Sequence, residues 1–292
     1  MNTLWVANSY AKINLGLHIL DKLPNGYHTI ETGFCFIEWS DRFEVSPSGS
    51  TQLSMGDSGI PVDEHNLIFK AVKLLREEGG LKADFKIKVN KRVPVGAGLG
   101  GGSSNAATIM RMLNKIENLG LTDTDLAELG KRLGADVPFF IHGKPGIGTG
   151  MGTELTPEPI QPNAWIVTVY PNFESSTVEA YQNFVLEGPH DFDLKNVLLE
   201  EPIDEWRYLL QNDLEHSVFP RHELVGNIKD QFYDFGAEYA SMSGSGSSVF
   251  GIFDQDFVAI DAYESFNALG YPANLTRPSF SPDLGIYIKE FD

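Results

Sequence analysis

Residues 94–107 run Pro-Val-Gly-Ala-Gly-Leu-Gly-Gly-Gly-Ser-Ser-Asn-Ala-Ala. Five of the seven positions from Gly96 to Gly102 are glycine. Glycine loses more backbone freedom on ordering than any other residue, so this stretch cannot be regular structure. Phe85, Ile87 and Val89 alternate ahead of it and predict a strand. The small residues behind it predict a helix over 103–117. The first turn of a helix leaves N–H groups unpaired and carries partial positive charge. A glycine loop in front lets those donors close around a phosphate. Ser103 is placed to cap the helix, and either Ser103 or Ser104 can offer a hydroxyl to a phosphate or to Mg²⁺.

Two common nucleotide loops fit poorly. A Walker A loop ends in Lys followed by Ser or Thr, and this loop has no Lys. Gly96, Gly98 and Gly101 match the Gly-x-Gly-x-x-Gly spacing of dinucleotide sites. Those sites need a following strand that ends in an acidic residue. Glu117 lies near the expected distance, but on the end of the predicted helix. A dinucleotide oxidoreductase is therefore disfavoured.

Charge narrows the partners. Asp plus Glu is 40 and Lys plus Arg is 22, a formal net charge of −18. Nucleic acid is excluded as an expected partner, because its binding relies on Lys and Arg displacing counterions. An anionic membrane surface is disfavoured on the same ground. A small anion held by a local site is not. The single cysteine, Cys35, permits no intrachain disulfide and no thiolate metal cluster. The histidines show no metal-ligand spacing, so no intrinsic metal is expected. The first residues lack a basic and apolar leader pattern. No apolar run approaches the ~18 residues of a membrane helix. The expectation is a cytoplasmic protein.

The 292 residues predict about two domains. Strands are expected over 11–20, 29–39, 42–45, 85–89, 165–170, 239–242 and 249–253. Helices are expected over 66–78, 103–117, 122–133, 177–185, 204–212, 223–235 and 256–269. Thr122 or Asp123 would cap the third. Residues 152–163, rich in proline, break both periodicities and suggest a boundary, giving domains 1–158 and 159–292. The mixture is α+β rather than a doubly wound parallel sheet.

The loop 94–107 resembles the phosphate loop of the GHMP kinases, a family named for galactokinase, homoserine kinase, mevalonate kinase and phosphomevalonate kinase. Ala11-Lys12-Ile13-Asn14-Leu15 is similar to the family's first motif, and residues 241–248, Ser-Met-Ser-Gly-Ser-Gly-Ser-Ser, to its last. Three further segments resemble a branch whose acceptor carries a cytidine diphosphate group: Asn25-Gly26-Tyr27-His28, residues 133–140, and Asn212-Asp213-Leu214-Glu215. The resemblance implies a fold with an N-terminal domain like domain 2 of ribosomal protein S5 and a C-terminal ferredoxin-like domain. ATP, accompanied by Mg²⁺, and the acceptor would share the cleft between them. The implied activity is ATP-dependent phosphorylation of a 2-hydroxyl in non-mevalonate isoprenoid precursor synthesis. Another GHMP small-molecule kinase, or a non-catalytic nucleotide-binding relative, are the alternatives.

The resemblance assigns roles residue by residue. Lys12 and Asp136 would be catalytic, with Asp136 as general base and Lys12 as its ion-pair partner. Pro94, Gly96, Gly98, Leu99, Gly100, Gly101, Gly102, Ser103, Ser104 and Asn105 would hold ATP, with Asn66 and Leu67 at its adenine. Asn14, Tyr27, His28, Ser243, Gly244, Ser245 and Gly246 would hold the acceptor, Tyr27 by stacking on the base and His28 by bonding its edge. Without the family, Lys12 reads as part of a solvated strand face, Asp136 as a cap, and residues 243–247 as a plain hairpin turn. There are departures. Thr153 stands where the family has an acidic residue, which leaves Glu154 without an assured role. Asn105 stands where Asp is common, and Ser175-Ser176-Thr177 replaces a more usual Val-Ser-Thr.

Overall fold

The computed structural model describes residues 3–289 apart from 57, 187, 189 and 191. Strands β1 (Leu4–Lys22) and β2 (His28–Ser48) form an antiparallel pair about the Asn25-Gly26 turn. The sequence predicted β1 only over 11–20 and broke β2 near residue 40. Both strands run further because β-bulges absorb the breaks in alternation, at Tyr10/Lys12, Asn14/Leu17 and Ile19/Asp21. The chain continues through β3 (Gln52–Ser54), α1 (Leu67–Glu78), β4 (Asp84–Asn90), α2 (Gly101–Ile116), α3 (Asp123–Lys131), α4 (Val137–His142), β5 (Gly146–Thr149) and β6 (Glu154–Pro157). Strand β2 is the centre of this sheet. Its second half pairs with β4, and Thr32 to Phe34 pair with β5. Of the two caps left open for α3, Thr122 serves, in a reciprocal capping box with Asp125. The prolines of 152–163 hid β6.

The second sheet contains β7 (Trp165–Val169), β8 (Tyr239–Met242), β9 (Val249–Phe253) and β10 (Ala273–Thr276), in the order β10-β7-β9-β8 and all antiparallel. Five short helices follow β7 or precede β8: α5 (Thr177–Gln182), α6 (Leu194–Glu200), α7 (Trp206–Leu209), α8 (Glu215–Val218) and the longer α9 (Glu223–Asp234). Helix α10 (Asp256–Ala268) joins β9 to β10. With α9 and α10 packed on the sheet, the order is that of a ferredoxin-like βαββαβ unit. The fold is α+β, as the sequence indicated. Among the described residues no helix is long and apolar enough to cross a membrane.

The predicted helix over 204–212 ends at Leu209. Beyond it the chain extends and joins β1: the Leu17 amide donates to Gln211 O at 3.0 Å, and the Asp213 amide to Leu17 O at 2.9 Å. The last strand, β11 (Tyr287–Lys289), pairs with the start of β1 on that same edge, opposite β2. An apolar cluster then ties Ile13 and Leu15 of β1 to Ile166 of β7 and Phe250 of β9. Both faces of β1 are therefore covered. Lys12, Asn14 and His18, which alternation alone would leave in water, are 4%, 2% and 2% exposed.

His18 stacks on His190, with ring centroids 3.8 Å apart. Burial, and then the charge of His190, push its pKa down to about 4, with Asp193 opposing. The unfolded chain, at about 6.5, takes up this proton first. Stability is therefore lost as pH falls from about 6.5 towards 4, by at most about 1.4 kcal/mol per pH unit from this group. Thermal melts of wild type and His18→Gln across that range should show the steeper acid decline in wild type. Parallel curves would refute this.

Candidate active site

The glycine loop is shaped by its carbonyls. Leu99 O accepts from the Lys12 amide at 3.1 Å, Ala97 O from the Ser248 amide at 3.1 Å, and Gly96 O from the Ser175 amide at 3.2 Å. Gly98 O accepts from both Lys12 Nζ and Ser243 Oγ, each at 2.9 Å. Gly100 O takes the Ser104 amide at 2.8 Å. With the carbonyls turned inward, the amides of residues 98–103 take no protein partner among the described residues. Helix α2 starts at Gly101, and its N-cap is Gly100 in the left-handed conformation. This corrects the sequence reading: Ser103 is the third residue of the helix and does not cap it. The bare donors at this start suit phosphate oxygens.

These amides face a cavity of about 1010 Å³. All the residues assigned above border it except Ser104 and Ser243. Ser104 is turned into the protein, where its hydroxyl donates to Tyr10 O at 2.6 Å and meets Ser9 Oγ at 2.8 Å. It is therefore withdrawn from phosphate and from Mg²⁺. Ser243 is fully buried and clamps Gly98 rather than facing a ligand. Asn105 borders the cavity, but its Nδ2 donates to Ser9 Oγ at 2.9 Å and Asp41 Oδ2 at 2.8 Å. Asp41 is wholly buried and also takes the amides of Arg92 and Val93. A carboxylate at position 105 would abut that of Asp41, so Asn is the residue this environment accommodates.

Lys12 Nζ lies 3.6 Å from Asp136 Oδ2, and donates to Asn14 Oδ1 at 2.6 Å. Burial pulls this ammonium below its ordinary pKa, and Asp136 opposes the shift. Asn14 is in turn fixed on Thr32 Oγ1 at 2.8 Å. Asp136 precedes α4 but makes no cap bond, so its carboxylate is left to face Lys12 and the cavity. Asn66 caps α1 by accepting from the Ile68 amide, and Leu67 follows at the rim. Tyr27 is 64% exposed at the cavity mouth.

Sequence reasoning missed several neighbours. Tyr181 of α5 stacks on His28, with centroids 5.4 Å apart. Burial, then Asp136 and Asp213, raise its phenol pKa, keeping it a neutral donor. Lys91 borders the cavity beside Gly101, held on Asp41 Oδ2 at 2.8 Å. Ser175 and Thr177, noted only as a departure, do work of their own. Ser175 holds Gly96, and Thr177 Oγ1 meets Ser245 Oγ at 2.8 Å. Their one advance signal was a polar run before a predicted helix. Glu154 is exposed on β6 and lies outside the cavity lining, whereas Met151 and Gly152 are part of it.

Residues 66–144 match the family model for the GHMP kinase N-terminal domain, and 195–272 that for the GHMP kinase C-terminal domain. The chain belongs to the GHMP kinase family. It is 42% identical over 278 residues to the 4-diphosphocytidyl-2-C-methyl-D-erythritol kinase of Chlorobium limicola, covering 94% of this chain and 96% of that one. It is 41% identical over 285 residues to the enzyme of the same name from Chloroherpeton thalassium, covering 94% and 97%. The crystal structure of a 4-(cytidine 5'-diphospho)-2C-methyl-D-erythritol kinase superposes with TM-score 0.79 at 31% identity, covering 94% of this chain and all of that one. A homoserine kinase from Cytophaga hutchinsonii, at 18% identity and TM-score 0.70, shares the fold.

Gly98 is the tightest point of the loop. Its φ is +74°, and a Cβ there would fall on the carbonyl oxygen of Ser243. Gly98→Ala should therefore cost at least about 1–3 kcal/mol of stability, from backbone strain alone. It should also abolish most ATP turnover. A variant with wild-type melting temperature and turnover would refute this account of the loop.

Proposed function

We propose that this chain transfers the terminal phosphoryl group of ATP to the 2-hydroxyl of 4-diphosphocytidyl-2-C-methyl-D-erythritol, a step of non-mevalonate isoprenoid precursor synthesis. The observation that carries the proposal is the Lys12–Asp136 pair at the mouth of the glycine loop, in one cavity with Tyr27 and His28. The near full-length likeness to kinases of that name supports the choice of acceptor.

In this reading the amides of residues 98–103 hold the ATP phosphates, with Asn66 and Leu67 towards the adenine. Tyr27 and Tyr181 offer ring faces to the cytosine, which stacking holds and His28 helps to select. Asp136 takes the proton from the acceptor hydroxyl. That oxygen bonds to the γ-phosphorus as the bond to the β–γ bridging oxygen breaks, and ADP leaves. Lys12 steadies charge on the reacting oxygens. Phosphoryl transfer asks mainly for such positioning and charge compensation. Residues 1–158 bring the phosphate loop and the catalytic pair, and residues 159–292 complete the acceptor side.

Mg²⁺ belongs to the proposal as the companion of ATP. Ser103 Oγ, next to the Gly134 turn, is a hard oxygen donor suited to it. When bound, the ion would offset phosphate charge. Among the described residues no grouping of three His, Cys, Asp or Glu is placed to hold a metal, so its remaining ligands would be phosphate oxygens and water.

A coupled ADP-release assay with the acceptor and Mg-ATP tests the activity directly. Asp136→Asn should lower kcat by about 10²-fold or more while leaving ATP affinity largely intact. Near wild-type kcat would remove Asp136 from its role. Tyr27→Ala should raise KM for the acceptor by about tenfold and spare that for ATP; equal effects on both would count against base stacking there.

A further inference from the structure

We infer that Asn212 is a positioning residue that presents the 243–246 turn to the acceptor, an inference that rests on the kinase reading above. The motif 212–215 was singled out in the sequence, yet none of its side chains borders the cavity. Asn212 is 1% exposed. Its Nδ2 donates to Met242 O at 2.7 Å and to Gly244 O at 2.8 Å, and its Oδ1 accepts from the Leu214 amide at 3.1 Å. The two carbonyls flank Ser243 at the start of the turn and are drawn back onto one side-chain amide. The backbone amides of Gly244 and Ser245 then take no protein partner among the described residues, and both residues border the cavity. Paired donors of this kind in a left-handed turn favour an anionic oxygen.

The turn also stands beside the catalytic pair. Gly244 has φ +56°, and a Cβ on it would lie 3.1 Å from Asn14 Oδ1 and 3.6 Å from Lys12 Nζ. The segment that carries Asn212 is pinned to the strand that carries Lys12. The backbone on either side of Asn212 bonds Leu17, and Asp213 Oδ2 accepts from the Ile19 amide at 2.6 Å. Glu215 braces the same turn by taking the Met242 amide at 2.8 Å, and is itself paired with Lys229 at 2.5 Å. One buried segment thus fixes the distance between Lys12 and the donors of the turn. A misplacement of that turn weakens the acceptor's hold directly, and reaches the phosphate loop only at second hand, through the Ser243 hydroxyl on Gly98 O.

Asn212→Asp exchanges the Nδ2 donor for an oxygen at nearly constant size and keeps an acceptor for Leu214. CDP and ADP are titrated separately into wild type and variant by calorimetry, and ADP release is measured with the acceptor. The variant should bind CDP about tenfold or more weakly, lose about tenfold or more in kcat/KM for the acceptor, and lose severalfold less affinity for ADP than for CDP. Unchanged CDP affinity would overturn the inference, as would equal weakening of CDP and ADP, the signature of general loosening. Should Asn212→Asp fail to fold, Asn212→Ser, neutral and able to donate to only one carbonyl, must give the same pattern. A wild-type chain that neither binds CDP nor turns over the acceptor overturns the acceptor reading and this inference together. A wild-type chain that does both beside an unaffected Asn212→Asp overturns this inference alone.

Discussion

The carbonyl oxygens of the glycine loop are the constraint on which the site depends. A loop of this composition has no side chains to hold it, and left alone it would sample many conformations. Here each carbonyl from Gly96 to Gly100 is held by a donor. Three of those donors, Ser175, Ser243 and Ser248, come from beyond residue 158, and two from Lys12. The amides point into the cavity because the carbonyls cannot. Preorganised donors of this kind lose nothing to reorientation when charge arrives, which is where much of the effect of such sites originates.

This resolves the tension between a net charge of −18 and a doubly anionic pair of ligands. The donors in the cleft are mostly neutral backbone groups and need no excess of basic residues. Of the lysines that border it, Lys22 is exposed at the rim, while the Lys12 and Lys91 side chains are buried and matched to carboxylates, Asp136 and Asp41. A buried ammonium without such a partner would be costly. The acidic surface therefore bears on solubility and on which polymers are repelled, and the cleft works at short range.

Most of the site was legible in the sequence because glycine, proline and isolated charges in small-residue runs have strong local meaning. The glycine loop was read in this way, whereas Lys12, Asp136 and the Tyr27-His28 pair were picked out by family resemblance; residue type alone read Lys12 as part of a solvated strand face. Ser104 and Ser243 were misplaced for a common reason. Residue type shows that a hydroxyl can bond, and only the fold shows which side it faces. Tyr181 left no trace, and Asn212 and Ser175 were quoted without a role, because their importance lies in contacts with residues far away in the chain. The same holds for β10 and β11, too short to register as patterns until β7 and β1 supply their partners.

Strand β1 is shared by the two halves of the chain. It carries Lys12, pairs with β11 near its start, and takes the 211–213 segment at Leu17. Its successive stretches sit in three cores: Ala7 in one drawn mainly from the first half, Ala11, Ile13 and Leu15 in one drawn from both halves, and Leu17 and Ile19 in one drawn mainly from the second. Such a strand makes hinge motion between the halves expensive, since opening the cleft by rotation would strip apolar surface from β1 itself. Ligand entry and exit are then left to the rim: the exposed Tyr27 turn and the short helix α5.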